Sequence, residues 1–235
     1  MQSKPLRHEL KYPLSFAHYQ MLRRKLRAVL KIDPHAEPEG HYHVRTLYFD
    51  DIKNSAYFEK MSGVGNRQKY RLRIYNLRDN PVKFERKSRI YNYVFKESEV
   101  IQREEAEKII NGDIRFLADS KSPLLRRFYN ECRLNLMRPA VLSEYLREPY
   151  VYPVGNVRVT FDFDLRTSLV TQPVKFFENP IPTLRVDSEA AVIMEVKYSD
   201  VLPEVVRGLL SEEVSLRRAL GKFALCRAAR GILAI

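Results

Sequence analysis

The chain of 235 residues carries 41 Lys and Arg against 29 Asp and Glu, a formal net charge of +12, with 45% hydrophobic and 30% charged residues. That is enough apolar material for one large or two small domains, and too much for disorder. No apolar run nears the roughly 18–20 residues needed to span a bilayer, and Cys132 and Cys226 alone exclude a disulfide scaffold or a zinc–thiolate centre. The first residues lack the apolar stretch of a secretory leader, so the cytoplasm is the expected compartment. The charge surplus admits three anionic partners: nucleic acid, an acidic membrane, or a polyphosphorylated small molecule.

In chain order, a strand is expected over Arg7–Pro13, with Glu9 and Lys11 on one face. A helix follows over Phe16–Lys31, capped by Ser15, with Tyr19, Leu22, Leu26, Val29 and Leu30 as its buried stripe. Arg23, Arg24, Lys25 and Arg27 read as its solvated face, and Asp33-Pro34 as its stop. His43–Asp50, containing Arg45, reads as a strand. So do Arg67–Tyr75, Val82–Ile90 and Tyr91–Val100, the first two joined by a turn through Asn80-Pro81. Helices are expected over Arg103–Ile110, stopped by Asn111-Gly112, and over Pro123–Asn135, burying Leu124, Leu125, Phe128 and Tyr129. Further strands span Ala140–Arg147, Val157–Asp164 and Ala191–Tyr198, and the chain closes on helices over Glu204–Leu210 and Leu216–Leu233.

The unusual feature is how charge is distributed along the strands. Alternate residues of a strand share a face, so Arg67, Lys69, Arg71 and Arg73 line one side with no anion among them. Lys83, Glu85, Lys87 and Arg89 share a face in the next strand, and Glu195 shares one with Lys197. An open sheet turning these faces to water would mix its charge signs, whereas the amphipathic helices need apolar strand faces to cover. Apolar faces outside and charged faces inside predict an α+β fold. Its sheet would be a closed, antiparallel, eight-stranded β-barrel with the helices packed outside, forming a single domain over residues 1–235. Like charges about 4 Å apart repel by roughly 4 kcal/mol at an effective dielectric near 20, so such a lumen calls for a compact polyanion. Arg forks and Lys point charges suit phosphate, and a duplex is too wide. Glu9, Glu85 and Glu195 either pair with lysines in the same lumen or share a divalent cation with the phosphates. Oxygen ligands favour Mg²⁺ or Mn²⁺, and Glu195 is the preferred metal ligand.

Eight segments then carry a resemblance. They are Glu9-Leu-Lys-Tyr12, Leu47-Tyr-Phe-Asp50, Arg71-x-Arg73-x-Tyr75, Phe84-Glu-Arg-Lys87, Tyr145-x-Arg147, Val157-Arg-Val-Thr-Phe-Asp162, Met194-Glu-Val-Lys197 and Gly221-Lys-Phe223. In this order the chain, from about Arg7 to Arg230, resembles the VTC domain (vacuolar transporter chaperone, polyphosphate polymerase type) of the triphosphate tunnel metalloenzymes. The single acidic residue before Lys11, where other branches have two, points to the polymerase branch. The resemblance implies an eight-stranded tunnel in which Lys11, Arg71, Arg73, Lys87, Arg147 and Arg158 bind phosphate, with Arg45 and Lys197 as further members. It also implies that Glu195 holds Mn²⁺ or Mg²⁺ and that Lys222 closes over the phosphates, and Glu9 is expected to join Glu195 as a metal ligand.

The sequence lacks a P-loop, and His41 and His43 read as a polar strand edge rather than a zinc site. Cys226 reads as packing. The expected activity is a metal-dependent phosphotransferase, a polyphosphate polymerase using ATP, with Lys87, Arg71, Arg73 and Glu195 as its catalytic residues. A triphosphatase, and a non-catalytic module that binds polyphosphate or inositol phosphate, are the alternatives. The expected partners are ATP or another triphosphate and polyphosphate, with no specific nucleic acid. The chain encodes no anchor of its own, but related domains sit in membrane complexes, so the resemblance leaves room for a membrane partner. The oligomeric state stays open.

Overall fold

The computed structural model describes residues 7–91, 93–168, 174–186, 190–211 and 221–231. In chain order the elements are β1 (Arg7–Leu14), α1 (Phe16–Val29), β2 (Lys31–Ile32), β3 (Tyr42–Asp50), α2 (Ser55–Met61), β4 (Arg67–Tyr75), β5 (Val82–Ile90) and β6 (Tyr93–Ile101). They continue with α3 (Arg103–Ile110), α4 (Pro123–Asn135), β7 (Arg138–Tyr152), β8 (Val157–Ser168), β9 (Leu184–Arg185), β10 (Val192–Ser199), α5 (Glu204–Ser211) and α6 (Lys222–Ala229). The fold is therefore mixed α+β. Among the described residues no helix is long and apolar enough to cross a membrane.

The chain divides into two compact units: Met1–His43, Tyr145–Leu165 and Asp187–Gly221 form the first, and Val44–Glu144, Arg166–Val186 and Lys222–Ile235 the second. In the first unit α1 buries Tyr19, Leu22 and Leu26, with Ser15 accepting the His18 amide as its N-cap. Leu30 is also buried, but Val29 is 39% exposed: the helix ends at that residue, so its last turn no longer follows the helical stripe. The expected stop at Asp33-Pro34 comes late, because Lys31 and Ile32 leave the helix to pair with Val151 and Tyr150. The stripe packs on Val159, Phe161, Met194 and Val196, which are the apolar alternation of β8 and β10. In the second unit α3 and α4 lay Ile109, Ile110, Leu124, Leu125 and Phe128 on Leu47, Phe49, Tyr70, Leu72 and Phe84. Tyr129 is only partly buried against this core. Of the expected helix over Leu216–Leu233, residues 216–220, 232 and 233 lie outside the described residues.

The hydrogen-bonded strand order is β1-β10-β8-β7-β3-β4-β5-β6, with β2 on β7 and β9 on β8. This corrects the expected closed barrel. Among the described residues the path has two ends, because β1 pairs only with β10 and β6 only with β5. The expectation of closure rests on the one-sign face of β4 and on helices needing apolar strand faces to cover. The helices do cover such faces within each unit, and the β4 cations meet Glu85 of the neighbouring strand, without the sheet closing. The β6 edge is also blunted by Lys96, Glu97 and Glu99, charges that discourage further pairing.

Candidate functional site

In the first unit the register of three strands builds a charged face. Lys11, Glu195 and Thr160 lie side by side across β1, β10 and β8, and Glu9, Lys197 and Arg158 form the next row. Lys11 Nζ is 3.0 Å from Glu9 Oε1 and 3.5 Å from Glu195 Oε1. Lys197 Nζ is 3.2 Å from Glu195 Oε2 and 4.0 Å from Glu9 Oε2. Two lysines thus bridge the same two carboxylates. Arg147, from β7, grips Asp162 through Nε (2.6 Å) and Nη2 (2.8 Å), and reaches Glu195 Oε2 at 3.4 Å. Burial opposes the charge on Arg147, but Asp162 overrides it and holds the guanidinium pKa well above its usual value. For Lys197 the balance tips the other way. Burial lowers its pKa despite Glu195 and Glu9, and the neighbouring Arg147 and Lys11 add to the depression.

In the second unit the register of β4, β5 and β6 builds another. Arg71 lies opposite Glu85, Arg73 opposite Lys83, and Lys69, Lys87 and Lys96 form a single row of lysines. Glu85 is fully buried, 2.6 Å from Arg71 Nε and 3.8 Å from Arg73 Nη1, and it pairs with Lys96 through its other oxygen. Burial alone would raise its pKa, but Arg71, Arg73 and Lys96 hold it down to about 2. Of the two roles open to Glu85, the geometry displays the ion pair. Arg73 Nε also donates to Thr46 Oγ1 at 3.1 Å. Lys222 is the first residue of α6. The next residue, Phe223, is buried against Tyr48 and Tyr57, with Lys69 Nζ 4.2 Å from its ring centroid.

The structure therefore gathers Lys11, Glu9, Glu195, Lys197, Arg147 and Arg158 in one unit, and Arg71, Arg73 and Lys87 on one face of the other. Arg45 is not with them. Its register partner is Ile74, on the opposite face from Arg71 and Arg73, and it is 1% exposed. There it pairs with Glu144 and donates from Nη1 to the carbonyl oxygens of Phe176 (2.8 Å) and Glu178 (2.5 Å). Removing one member of a buried pair leaves an uncompensated charge, so Arg45→Met is expected to destabilise the fold by about 3–5 kcal/mol. Tripolyphosphate affinity should stay unchanged; thermal unfolding and titration calorimetry check the two halves, and a loss of affinity in folded protein contradicts the assignment.

Sequence reasoning left Asp162, Thr160, Lys69 and Lys96 without roles. Asp162 was detectable, since it shares parity with Arg158 in Val157–Asp164. Lys96 was hidden because Val94 and Val100 share its face.

The donor set of the first unit is compatible with a divalent cation. Among the described residues no group of three or more His, Cys, Asp or Glu side chains is placed to hold a metal ion. Mg²⁺, however, is commonly held by one or two carboxylates, with substrate phosphates and water completing the shell. Glu195 and Glu9 are such a pair, and Thr160 Oγ1, beside Glu195, is buried without a hydrogen-bond partner among the described residues.

Comparison with known proteins follows the same direction. The VTC domain family model matches residues 6–229. No curated protein matches the chain. Among solved structures, a putative adenylyl cyclase from Hippeastrum, described as having a dominant triphosphatase activity, is similar at 17% identity and a TM-score of 0.52. The match covers 98% of this chain and 99% of that one. A putative adenylate cyclase from Bacillus halodurans is similar at 10% identity and a TM-score of 0.52, covering 92% and 95%. At such identities the likeness shows the fold alone. With the family model matched over nearly its whole length, the chain belongs to the VTC domain family.

Proposed function

We propose that this VTC domain is a metal-dependent phosphotransferase acting on triphosphate-bearing substrates, and that it extends polyphosphate from ATP. The observation that carries the reading is the first unit's face, where Lys11, Lys197, Arg147 and Arg158 surround Glu195 and Glu9. Each of these cations can exchange a carboxylate oxygen for a phosphate oxygen, a trade between charge-assisted hydrogen bonds of similar strength. The second unit offers Arg71, Arg73 and Lys87 for the same purpose, arranged around a single carboxylate.

Glu195 and Glu9 would hold Mn²⁺ or Mg²⁺, which when bound supplies positive charge to phosphate oxygens in a loose transition state. The chain's own part is to bind and align: Arg147, fixed in plane by two hydrogen bonds to Asp162, offers its remaining donors in one orientation. No general base is required for chain growth, because the attacking terminal phosphate is already ionised. Hydrolysis would instead need a group to orient water, and Glu9 or Glu85 would be the candidate.

The second reading, a triphosphatase, is favoured by the activity described for the Hippeastrum protein of the same fold. Incubation with ATP and Mn²⁺ is expected to give a ladder of lengthening polyphosphate on a sizing gel. Orthophosphate released from tripolyphosphate without polymer would establish the triphosphatase reading instead, and binding without turnover would leave a polyphosphate-binding module.

A further inference from the structure

Arg158 ends the row of Glu9 and Lys197, and among the described residues its guanidinium is gripped on one nitrogen only. Nη2 lies 2.9 Å from Asp33 Oδ2 and donates to Tyr42 Oη at 3.1 Å. Nε is buried and has no hydrogen-bond partner among the described residues. A buried cationic N–H without an acceptor is unfavourable by roughly 1–3 kcal/mol, so an incoming anion oxygen would relieve it.

Asp33 is itself fixed by other contacts. Sequence reading gives Asp33-Pro34 only the role of a helix stop; the structure gives the carboxylate a second one. Ala36 N–H donates to the Asp33 carbonyl at 2.9 Å, closing a turn with Asp first and Pro second, an order that suits a type I turn. Oδ1 accepts the His35 amide at 3.0 Å and contacts His35 Nδ1 at 2.8 Å. The Asp33 amide donates to the Pro149 carbonyl at 3.0 Å, tying the turn to β7. One carboxylate oxygen is thus committed to the turn, and the other is presented to Arg158. Burial alone would raise the Asp33 pKa, but the His35 hydrogen bonds and the Arg158 charge keep it below the usual value, so the group is ionised at neutral pH.

We infer that Asp33 is a positioning residue, a carboxylate clamped by its own turn that fixes Arg158 by Nη2 and reserves Nε for a phosphate oxygen. The inference rests on the phosphotransferase reading and adds a residue to it. A carboxylate beside an anion site also repels the anion, so the sign of its removal is informative. If Asp33 merely competed for Arg158, Asp33→Asn would tighten phosphate binding. If it positions Arg158, the same change weakens it, and only while Arg158 is present.

The test is calorimetric titration of the full chain with metal-free tripolyphosphate, in a cycle of wild type, Asp33→Asn, Arg158→Gln and the double variant. Asp33→Asn is expected to weaken binding about tenfold in the wild-type background and less than about twofold alongside Arg158→Gln. Tyr42→Phe, which removes the second acceptor on Nη2, should give a smaller loss with the same dependence on Arg158. It decides the question if Asp33→Asn does not fold. Tighter binding, or equal losses in both backgrounds, overturns the positioning role while leaving the functional reading intact. Failure of the wild-type protein to bind tripolyphosphate overturns the functional reading, and this inference with it.

Discussion

Glu85→Gln is expected to destabilise the second unit by about 3–5 kcal/mol, the range seen when one partner of a buried ion pair is removed. The reason is geometric. Glu85 is fully buried with Arg71, Arg73 and Lys96 around it, and the next row of the same face is Lys69, Lys87 and Lys96. An amide of the same shape neutralises none of them. The pH dependence follows from the same contacts. The Glu85 pKa falls from an ordinary 4.5 to about 2 in the fold. A depressed carboxylate stabilises the folded state in full above its ordinary pKa, and loses that contribution as pH falls through the window from 4.5 toward 2. The shift corresponds to roughly 3 kcal/mol. Wild-type protein should therefore lose stability steeply on acidification through that window, and Glu85→Gln much less so. Added tripolyphosphate should restore the variant more than it stabilises wild type, because a bound polyanion replaces the missing charge. Unfolding followed by circular dichroism from pH 6 to pH 2, with and without tripolyphosphate, reads all three effects. Equal acid sensitivity in the two proteins would remove Glu85 from the centre of this cluster.

The contrast between Glu85 and Arg45 marks how far a sequence can be read. Period-two alternation belongs to a single strand, so it correctly placed Arg67, Lys69, Arg71 and Arg73 on one face of β4. Which face of a neighbouring strand meets them is a property of register. Arg45 illustrates this: β3 is buried along nearly its whole length, so it shows no polar alternation, and only its pairing with Ile74 reveals that Arg45 lies among the core residues. Helices were equally legible: α3 ends before its expected stop at Asn111-Gly112, and α4 spans the expected Pro123–Asn135. The seven-residue α2 was not, because its start is held by the carboxylate of Asp50 in the preceding strand, which accepts the amides of Ala56 and Tyr57. Barrel closure lay beyond the sequence for a similar reason. Whether the first and last strands of a path meet is not encoded in either strand's own pattern. The one-sign face of β4 also does not require closure, because the carboxylates that balance such cations come from neighbouring strands, as Glu85 does for Arg71 and Glu195 for Lys11.

Glu195→Gln is expected to lower metal-dependent turnover of ATP by at least about 100-fold, comparable to losing one group that stabilises transition-state charge. Glu195 is 5% exposed, and Lys11, Lys197 and Arg147 all contact its carboxylate. Its removal therefore has two opposite consequences. A metal held there would lose one of its two carboxylate ligands, while three cations lose a competitor for phosphate. Metal-free tripolyphosphate should bind the variant at least as tightly as wild type, with affinity that falls as salt rises. Stability should change less than for Glu85→Gln, because Arg147 keeps both hydrogen bonds to Asp162, and Lys11 and Lys197 keep Glu9. Turnover, metal-free calorimetry and thermal unfolding of the same preparation separate the possible roles. Wild-type turnover would show that the carboxylate holds no metal. Loss of binding together with turnover would make Glu195 a structural clamp for the lysines. Only lost turnover with retained or tighter binding assigns it to the metal, because an ion-pair partner that merely neutralised Lys11 and Lys197 would not make catalysis and phosphate affinity move in opposite directions.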